Sequence, residues 1–436
     1  MTTPRPRMKP TKTASAAGLR RELERCVACG KCRALCPVFS VEGGEASVAR
    51  GKLKILAAAE DGELDYNADL GRLLDDCLGC RLCTSGCPQG ARTDELVYAA
   101  RQRIRDRRSC NPLELFILRY LLPRRALLAS LARFVGRWQN RLARLLGRSG
   151  NEELSEGQRV QRALVGLYRR LLPLAGLSPR LVPPTLSPRQ FSSGRGEVQA
   201  FGDANAERWG FFVGCALETA YPRSARAVVE LARRLGIGLI APTTQACCGL
   251  PAWGSGDRRA ASALINANAA AFADRDLDGV VTACASCASF LREHYSGVLG
   301  RTQTLQEFLR ERLGRLELRR TPGLRVTWHQ PCHLARHLAV ELAEPMLARL
   351  ADYVELEERD VCCGGAGSYF VKHPETAAAI GERKAKRIVD SGAEVVVTAC
   401  PGCAMQLEAS LARLNAPVRV ELLGDFLARR LPPVSS

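Results

Sequence analysis

Nineteen cysteines in a chain of 436 residues fall into a pattern that repeats twice over. Cys26, Cys29, Cys32 and Cys36 share the spacing C-x2-C-x2-C-x3-C with Cys77, Cys80, Cys83 and Cys87, 51 residues later, and each run ends in Cys-Pro. Ten more form two longer units. Cys215, Cys247, Cys248, Cys284 and Cys287 are matched by Cys332, Cys362, Cys363, Cys400 and Cys403, at offsets of 115 to 117 residues. Cys110 belongs to neither set and reads as a free thiol. The chain is two duplications in series, and repetition of whole sets argues against incidental core thiols. At about 4% of the chain the cysteines are too sparse for a small disulfide-stapled scaffold.

The first pair has a specific chemistry. A cubane iron–sulfur cluster needs one thiolate per iron, converging on a compact inorganic core. Three cysteines spaced by two residues wrap a short loop around it, and the fourth, followed by proline, ligates the other cluster. This assigns Cys26, Cys29, Cys32 and Cys87 to one 4Fe-4S cluster and Cys77, Cys80, Cys83 and Cys36 to a second. Gly30 and Gly79 fall inside the loops, where a side chain would crowd the cluster. Two zinc sites are the competing reading, but zinc knuckles usually pair two C-x2-C units and lack the Cys-Pro. The residues between the runs read as helices, Ser47 to Glu60 and Leu70 to Asp76, with helical apolar spacing and no strand alternation.

The second pair is embedded in alternating strands and helices. Short apolar strands are expected within Trp209 to Cys215, at Gly236 to Ala241 and Gly279 to Cys284, then within Leu324 to Cys332, at Tyr353 to Glu357 and Glu394 to Cys400. Helices are expected between them, Ser224 to Leu235 and Asp257 to Ala273 among them. That alternation implies a parallel sheet with helices on its faces, and its cysteines fall where strands end. Adjacent cysteines diverge, so each Cys-Cys-Gly suits neighbouring irons or bridging thiolates better than one iron. Gly249, Gly364, Gly365 and Gly367 permit close approach of the backbone. Cys284 with Cys287, and Cys400 with Cys403, span helix starts, where N–H groups favour thiolate. A redox disulfide or zinc site in each unit stays open, although five thiols leave one unpaired.

The chain carries a net charge of +18, from 63 basic and 45 acidic residues. Residues 101–180 hold 18 arginines, no lysine and five acids, which is +13 of the total. Leu113 to Leu122 and Ala126 to Leu146 read as helices there. The segment suits docking on an acidic partner first, an anionic membrane surface next, and nucleic acid a distant third. No uncharged apolar run approaches the ~18 residues of a membrane span. Residues 1–18 are polar and basic and do not read as a secretory signal. A reducing, cytoplasmic location is expected, with peripheral contact at the inner membrane face as an option.

Together these motifs resemble the iron–sulfur subunit of glycolate oxidase. The wider family includes lactate-utilisation iron–sulfur proteins, a subunit of anaerobic glycerol-3-phosphate dehydrogenase and the catalytic subunit of heterodisulfide reductase. The resemblance covers about residues 20–110 and 205–430. Local matches include Arg50-Gly51-Lys52, Cys362 through Tyr369, and His373-Pro374. It implies a multidomain α plus α/β fold. A basic tail (1–18) would precede a helical two-cluster ferredoxin domain (19–110), an Arg-rich helical connector (111–180) and a linker (181–208). Two tandem α/β cysteine-rich repeats with Cys-Cys-Gly motifs (209–322 and 323–436) would follow. It also implies two 4Fe-4S clusters and one or two further non-cubane clusters in the repeats. The implied role is an electron-transfer subunit of a flavin-dependent 2-hydroxy-acid oxidase or dehydrogenase acting on glycolate or D-lactate. FAD would sit only on a partner subunit, and a quinone or other acceptor would take the electrons. The chain itself shows no flavin or nicotinamide fingerprint. Two alternatives remain. One is a heterodisulfide- or quinone-reducing catalytic subunit acting at the repeats. The other is a non-enzymatic adaptor on membrane or nucleic acid.

Five histidines complete the inventory: His294, His329, His333, His337 and His373. His329, His333 and His337 recur every four residues around Cys332 and read as a solvated or core-edge helix face, ahead of a role beside a cluster. Trp253 and Trp328 are expected near the cysteine loops.

Overall fold

The structure, a computed structural model, describes residues 16–107, 111–146, 156–173, 178, 180, 184–188, 191, 198–201, 207–273, 275–296, 299–341 and 343–433. Cys110, most of the basic tail and much of the linker lie outside the described residues.

The N-terminal part is helical. Helices Ala16–Glu24, Ala49–Glu60, Ala68–Asp75 and Thr93–Arg107 bury Leu19, Leu53, Leu56, Leu70, Leu74, Leu96 and Val97 in one core. Asn67 starts the third of these by accepting from the N–H groups of Asp69 and Leu70 at 2.9 and 3.1 Å, a cap worth about 1 kcal/mol. The cysteine loops lie between the helices, at 26–30 and 77–81.

The connector contains Pro112–Leu115, a π-helical turn Phe116–Leu121, a long helix Arg125–Leu145 and a further helix Glu156–Leu171. It is not a free basic arm. The Arg119 Nε lies 2.8 Å from Asp257, and the Arg125 Nε donates to Glu218 at 3.2 Å. Asp257 and Glu218 are buried in the first repeat, so these arginines neutralise charges that would otherwise be costly there. Arg101 and Arg105 donate to the carbonyls of Gly254 and Ser255, each at 3.0 Å. Part of the basic excess is therefore structural.

The C-terminal half has two sheets. The first is built from β1 (Val198–Phe201), β2 (Arg208–Phe211), β3 (Gly238–Pro242), β4 (Gly279–Thr282) and β5 (Thr302–Thr304), in the order β1-β3-β2-β4-β5. The second contains β6 (Arg325–Trp328), β7 (Asp352–Tyr353), β8 (Val395–Thr398) and β9 (Arg419–Leu422), in the order β7-β6-β8-β9. Every pairing is parallel except β1 with β3. That antiparallel edge strand comes from the segment read as linker, whose Pro and Ser content hid four residues able to pair. β7 is shorter than the strand expected from Tyr353 onward.

Matching strands of the two sheets occupy matching positions, so the duplication is structural. The repeats are not separate bodies, however. One continuous core runs from Trp209 to Leu427 through both, and helix Pro222–Arg234 packs on helix Leu423–Ala428. Among the described residues, no helix is long and apolar enough to cross a membrane.

Candidate iron–sulfur centres

The two N-terminal loops share a backbone. Ala28 and Gly30 take left-handed angles (φ 55° and 83°), and so do Gly79 and Arg81 (φ 65° and 59°), one pair 51 residues after the other. Left-handed residues on either side of the middle cysteine turn N–H groups inward, the concavity that anionic clusters use. Gly79 has no room for a side chain, since an added Cβ would fall 2.0 Å from the Tyr98 hydroxyl.

Cys26, Cys29, Cys32 and Cys87 line one small cavity, together with Cys83 and Arg50. Arg50 donates to the Ala28 carbonyl at 3.3 Å and pairs with Glu45, so the Arg-Gly-Lys motif clamps this loop. Cys77 stands close enough to Cys36 and Cys83 to help raise their thiol pKa, and Cys36 adds to the rise at Cys83. Burial is the larger cause, and it pushes Cys83 up to about 12. Thiols so raised become thiolate when a cation enters among them, which is the behaviour of a metal-ligand set. Cys80 is buried, and burial followed by the neighbouring Cys362 and Cys332 raises its thiol.

In the repeats, Cys215 follows β2, Cys247 and Cys248 lie in the loop after β3, and Cys284 follows β4. Cys284 is the N-cap of helix Ala285–His294, its sulfur accepting from the Cys287 N–H at 3.4 Å. Cys400 holds the same N-cap position on Pro401–Arg413, with proline first in the helix, where its missing N–H costs nothing. The Cys-Cys loop of the first repeat is pinned by a buried network. Asn268 accepts from the Ala246 N–H at 2.7 Å and donates to the Cys247 carbonyl at 2.9 Å. The Tyr295 hydroxyl donates to the Cys248 carbonyl at 2.7 Å. With both carbonyls held, the two sulfurs have fixed directions. Gly249 and Gly364 (φ 106° and 84°) then let the chain turn into the next helix.

The sulfurs form chains. Cys215 lies 3.9 Å from Cys247. Hydrogen bonds from the Cys247 and Cys287 thiols hold Cys248 down to about 5. In the second repeat, Cys362 and Cys403 hold Cys363 well below the usual thiol range. The second cysteine of each pair is thus the preferred thiolate in both copies.

The spacing did not reveal that the ten repeat cysteines face each other. All ten line a single cavity of about 300 Å³, and Cys77 lines it too. The Ser286 hydroxyl bridges the halves, 3.3 Å from the Cys400 sulfur and 3.2 Å from His333 Nδ1. Cys80 packs in one buried cluster with Cys332, Cys362 and Tyr369, which joins the ferredoxin part to the second repeat. Gly214 and Gly365 leave room beside the sulfurs. A Cβ on Gly214 would come 3.1 Å from Cys287 Sγ, and one on Gly365 3.5 Å from Cys363 Sγ.

The histidine reading is corrected. His329 is not on a helix but follows β6, fully buried, with both ring nitrogens lacking a hydrogen-bond partner. Burial, then Lys384, lowers it to about 3. His333 and His337 occupy a π-helical turn, half-buried and stacked at 4.4 Å, and His337 Nε2 lies 3.2 Å from the Gly79 carbonyl. The reading of a solvated or core-edge helix face fails at His329, where a strand end interrupts the apparent helical period, whereas His333 and His337 do stand at a core edge, on an irregular turn. Arg258 lies over the Trp253 ring, His294 packs against that ring at a tilt, and Trp328 donates to Gln330 in the core.

The cysteine-rich domain family matches residues 209–292 and 326–408, and the 4Fe-4S dicluster domain family matches residues 22–91. The chain is similar to the probable glycolate oxidase iron-sulfur subunit of Bacillus subtilis, 28% identical over 93% of each chain. Lactate utilization protein A of Geobacillus kaustophilus is 31% identical over 50% of this chain and 98% of its own. A subunit of the CoM/CoB fumarate reductase of Methanothermobacter marburgensis is 30% identical over 50% of this chain and 45% of its own.

Proposed function

The chain belongs to the cysteine-rich-domain family of iron–sulfur oxidoreductase subunits, and on that premise we propose that it is the electron-transfer subunit of a flavin-dependent 2-hydroxy-acid oxidase or dehydrogenase. Glycolate or D-lactate is oxidised on an FAD-bearing partner, and a quinone or other acceptor takes the electrons. The protein works in the cytoplasm.

The observation that carries this reading is continuity. Cys26, Cys29, Cys32 and Cys87 would hold one 4Fe-4S cluster, and Cys77, Cys80, Cys83 and Cys36 the second. The two five-cysteine sets would hold one or two further, non-cubane clusters. Bound clusters exchange single electrons, as a partner flavin that collects two requires. The chain's own residues set the series. Cys29 is exposed beside Val27, which is 63% exposed, so the first set reaches the surface. Cys80 abuts Cys332 and Cys362, so the second set reaches the repeats. Buried Lys384 brings a cationic ammonium toward Cys363 and Cys362, and burial lowers it to about 8.

Anaerobic purification of the native complex tests this. The expected result is a co-purifying flavoprotein and cluster bleaching on addition of glycolate or D-lactate. A flavin-free preparation whose clusters ignore both acids would overturn it.

One observation favours a second reading. Because both five-cysteine sets line one cavity, the repeats could themselves reduce a disulfide or quinone. Turnover of such an acceptor by the isolated subunit with an artificial donor would support it.

For membrane contact, helix Arg125–Leu145 exposes Leu131, Phe134, Trp138 and Leu145, with exposed Arg137, Arg141 and Arg144 between them and no acid in the helix. An apolar stripe with an aromatic pair and basic flanks suits the surface of an anionic bilayer.

A further inference from the structure

We propose that His329 ligates iron in the second repeat, giving that centre a mixed nitrogen and sulfur donor set that the first repeat lacks. This rests on the reading that the second repeat holds an iron centre.

Three observations meet at His329. The first is position. One ring nitrogen of His329 and the sulfurs of Cys363 and Cys403 lie within 4.8 Å of one another, all three residues buried. Tetrahedral donors bound to one metal at about 2.0 Å (nitrogen) and 2.3 Å (sulfur) stand about 3.5–3.8 Å apart, so a closure of about 1 Å completes the set. The second is vacancy of partners. The ring is 0% exposed, and neither nitrogen makes a hydrogen bond. The nearby Arg359 carbonyl meets neither in hydrogen-bond geometry. A buried imidazole without partners loses the hydration of both nitrogens, a cost that a ligand bond offsets. The neighbouring histidines are engaged, His333 with Ser286 and Cys332, His337 with Gly79.

The third observation is the duplication. His329 stands three residues before Cys332, and Phe212 stands three before Cys215. Their backbones are equivalent. The Phe212 N–H donates to the Val281 carbonyl and the His329 N–H to the Val397 carbonyl, both at 2.9 Å. In the first repeat that position packs as a hydrocarbon, Phe212 on Phe272 with ring centroids 6.2 Å apart. Packing alone therefore accepts a phenyl ring here, and the imidazole of the second copy is not required by the fold. A neutral histidine changes the donor set without adding charge. It would make the two centres electronically unequal, the one nearer the ferredoxin part carrying the nitrogen.

Mössbauer spectra of the full chain, loaded anaerobically with iron-57, test this whatever the spin state. His329→Phe copies the first repeat, and His329→Cys supplies a thiolate in its place. The expected result is that one doublet changes in both variants and moves to lower isomer shift in His329→Cys. Iron lost in His329→Phe but restored in His329→Cys also supports the assignment. Spectra superimposable on wild type at equal iron content overturn it, as does iron lost equally from both variants. A Cys363→Ala, Cys403→Ala double variant separates the failures, because alanine offers iron no donor atom. If that variant leaves both iron content and spectra unchanged, the second repeat holds no iron and the underlying reading falls as well.

Discussion

The hydroxyl of Ser286, in the first turn of a first-repeat helix, lies 3.3 Å from the sulfur of Cys400, which stands at the N-cap of the equivalent helix of the second repeat. Beside it the Ala285 N–H donates to the Ala399 carbonyl at 2.9 Å. The two cysteine sets are thus tied across their pseudo-symmetry, and a donor from one repeat serves a sulfur of the other. Hydrogen bonds to ligand sulfur stabilise the reduced state of a cluster. Removing one worth about 1 kcal/mol lowers a one-electron potential by about 40 mV. Ser286→Ala is therefore expected to lower the potential of the second-repeat centre by that order in a redox titration. An unchanged potential would mean that Ser286 serves His333 alone.

How much of this was legible beforehand differs by residue. The spacing of Cys26, Cys29, Cys32 and Cys87 carries its own geometry, because a tight loop with left-handed residues at fixed positions is a local property. The ends of β4 and β8, just before Cys284 and Cys400, were legible for a similar reason, since apolar runs of four residues stop where the helix cap begins. Contacts between distant segments were not. Nothing in the chain order says that Cys284 and Cys400 share one cavity, or that Cys80 meets Cys332. Arg119 and Arg125 looked like free charge because their partners, Asp257 and Glu218, are 138 and 93 residues away. His329 was misread because three histidines at helical spacing straddle a strand end.

The network around the first Cys-Cys loop sets a stability prediction. Tyr295 is buried and donates to the Cys248 carbonyl at 2.7 Å, while Asn268 serves the Ala246 N–H and the Cys247 carbonyl. Tyr295→Phe leaves one buried carbonyl unsatisfied, at a cost of about 1–3 kcal/mol. Asn268→Ala leaves two backbone groups unsatisfied and is expected to cost more. Urea denaturation of the full chain should rank wild type above Tyr295→Phe above Asn268→Ala. Equal midpoints for all three would show that water replaces the network.

A buried carboxyl between the repeats sets a pH dependence. Glu408 is buried, accepts from the Tyr221 hydroxyl at 2.9 Å, and burial raises it to about 8. The folded state then holds a proton that the unfolded chain releases near the ordinary glutamate value of about 4.3. Stability from this group is full below that value, falls as pH rises, and is lost once pH passes about 8. Glu408→Gln keeps an amide oxygen for Tyr221 and removes the titration. The variant is expected to be less sensitive to alkali, its advantage growing by up to roughly 1.4 kcal/mol per pH unit within the window. Chemical denaturation at pH 5, 7 and 9 measures it. Parallel losses in variant and wild type would assign the alkaline sensitivity to other groups.

The exposed stripe on Arg125–Leu145 gives the last prediction. Phe134 is 72% and Trp138 52% exposed among the described residues, an uncommon exposure for two large rings side by side. Arg137 and Arg141 share that face, while Arg125, at the start of the helix, pairs with Glu218. The basic residues still facing solvent are thus those beside the aromatic pair, where lipid phosphates would meet them as the rings enter the acyl boundary. Phe134→Ser with Trp138→Ser should weaken binding to vesicles containing anionic lipid by roughly tenfold or more, since each ring contributes over 1 kcal/mol when buried. Raised salt should weaken wild-type binding as well, through screening of the arginines. Co-sedimentation with anionic and neutral vesicles reads both effects. If the double variant leaves vesicle binding intact but releases the flavoprotein from the complex, the stripe is the partner's seat and not the membrane's.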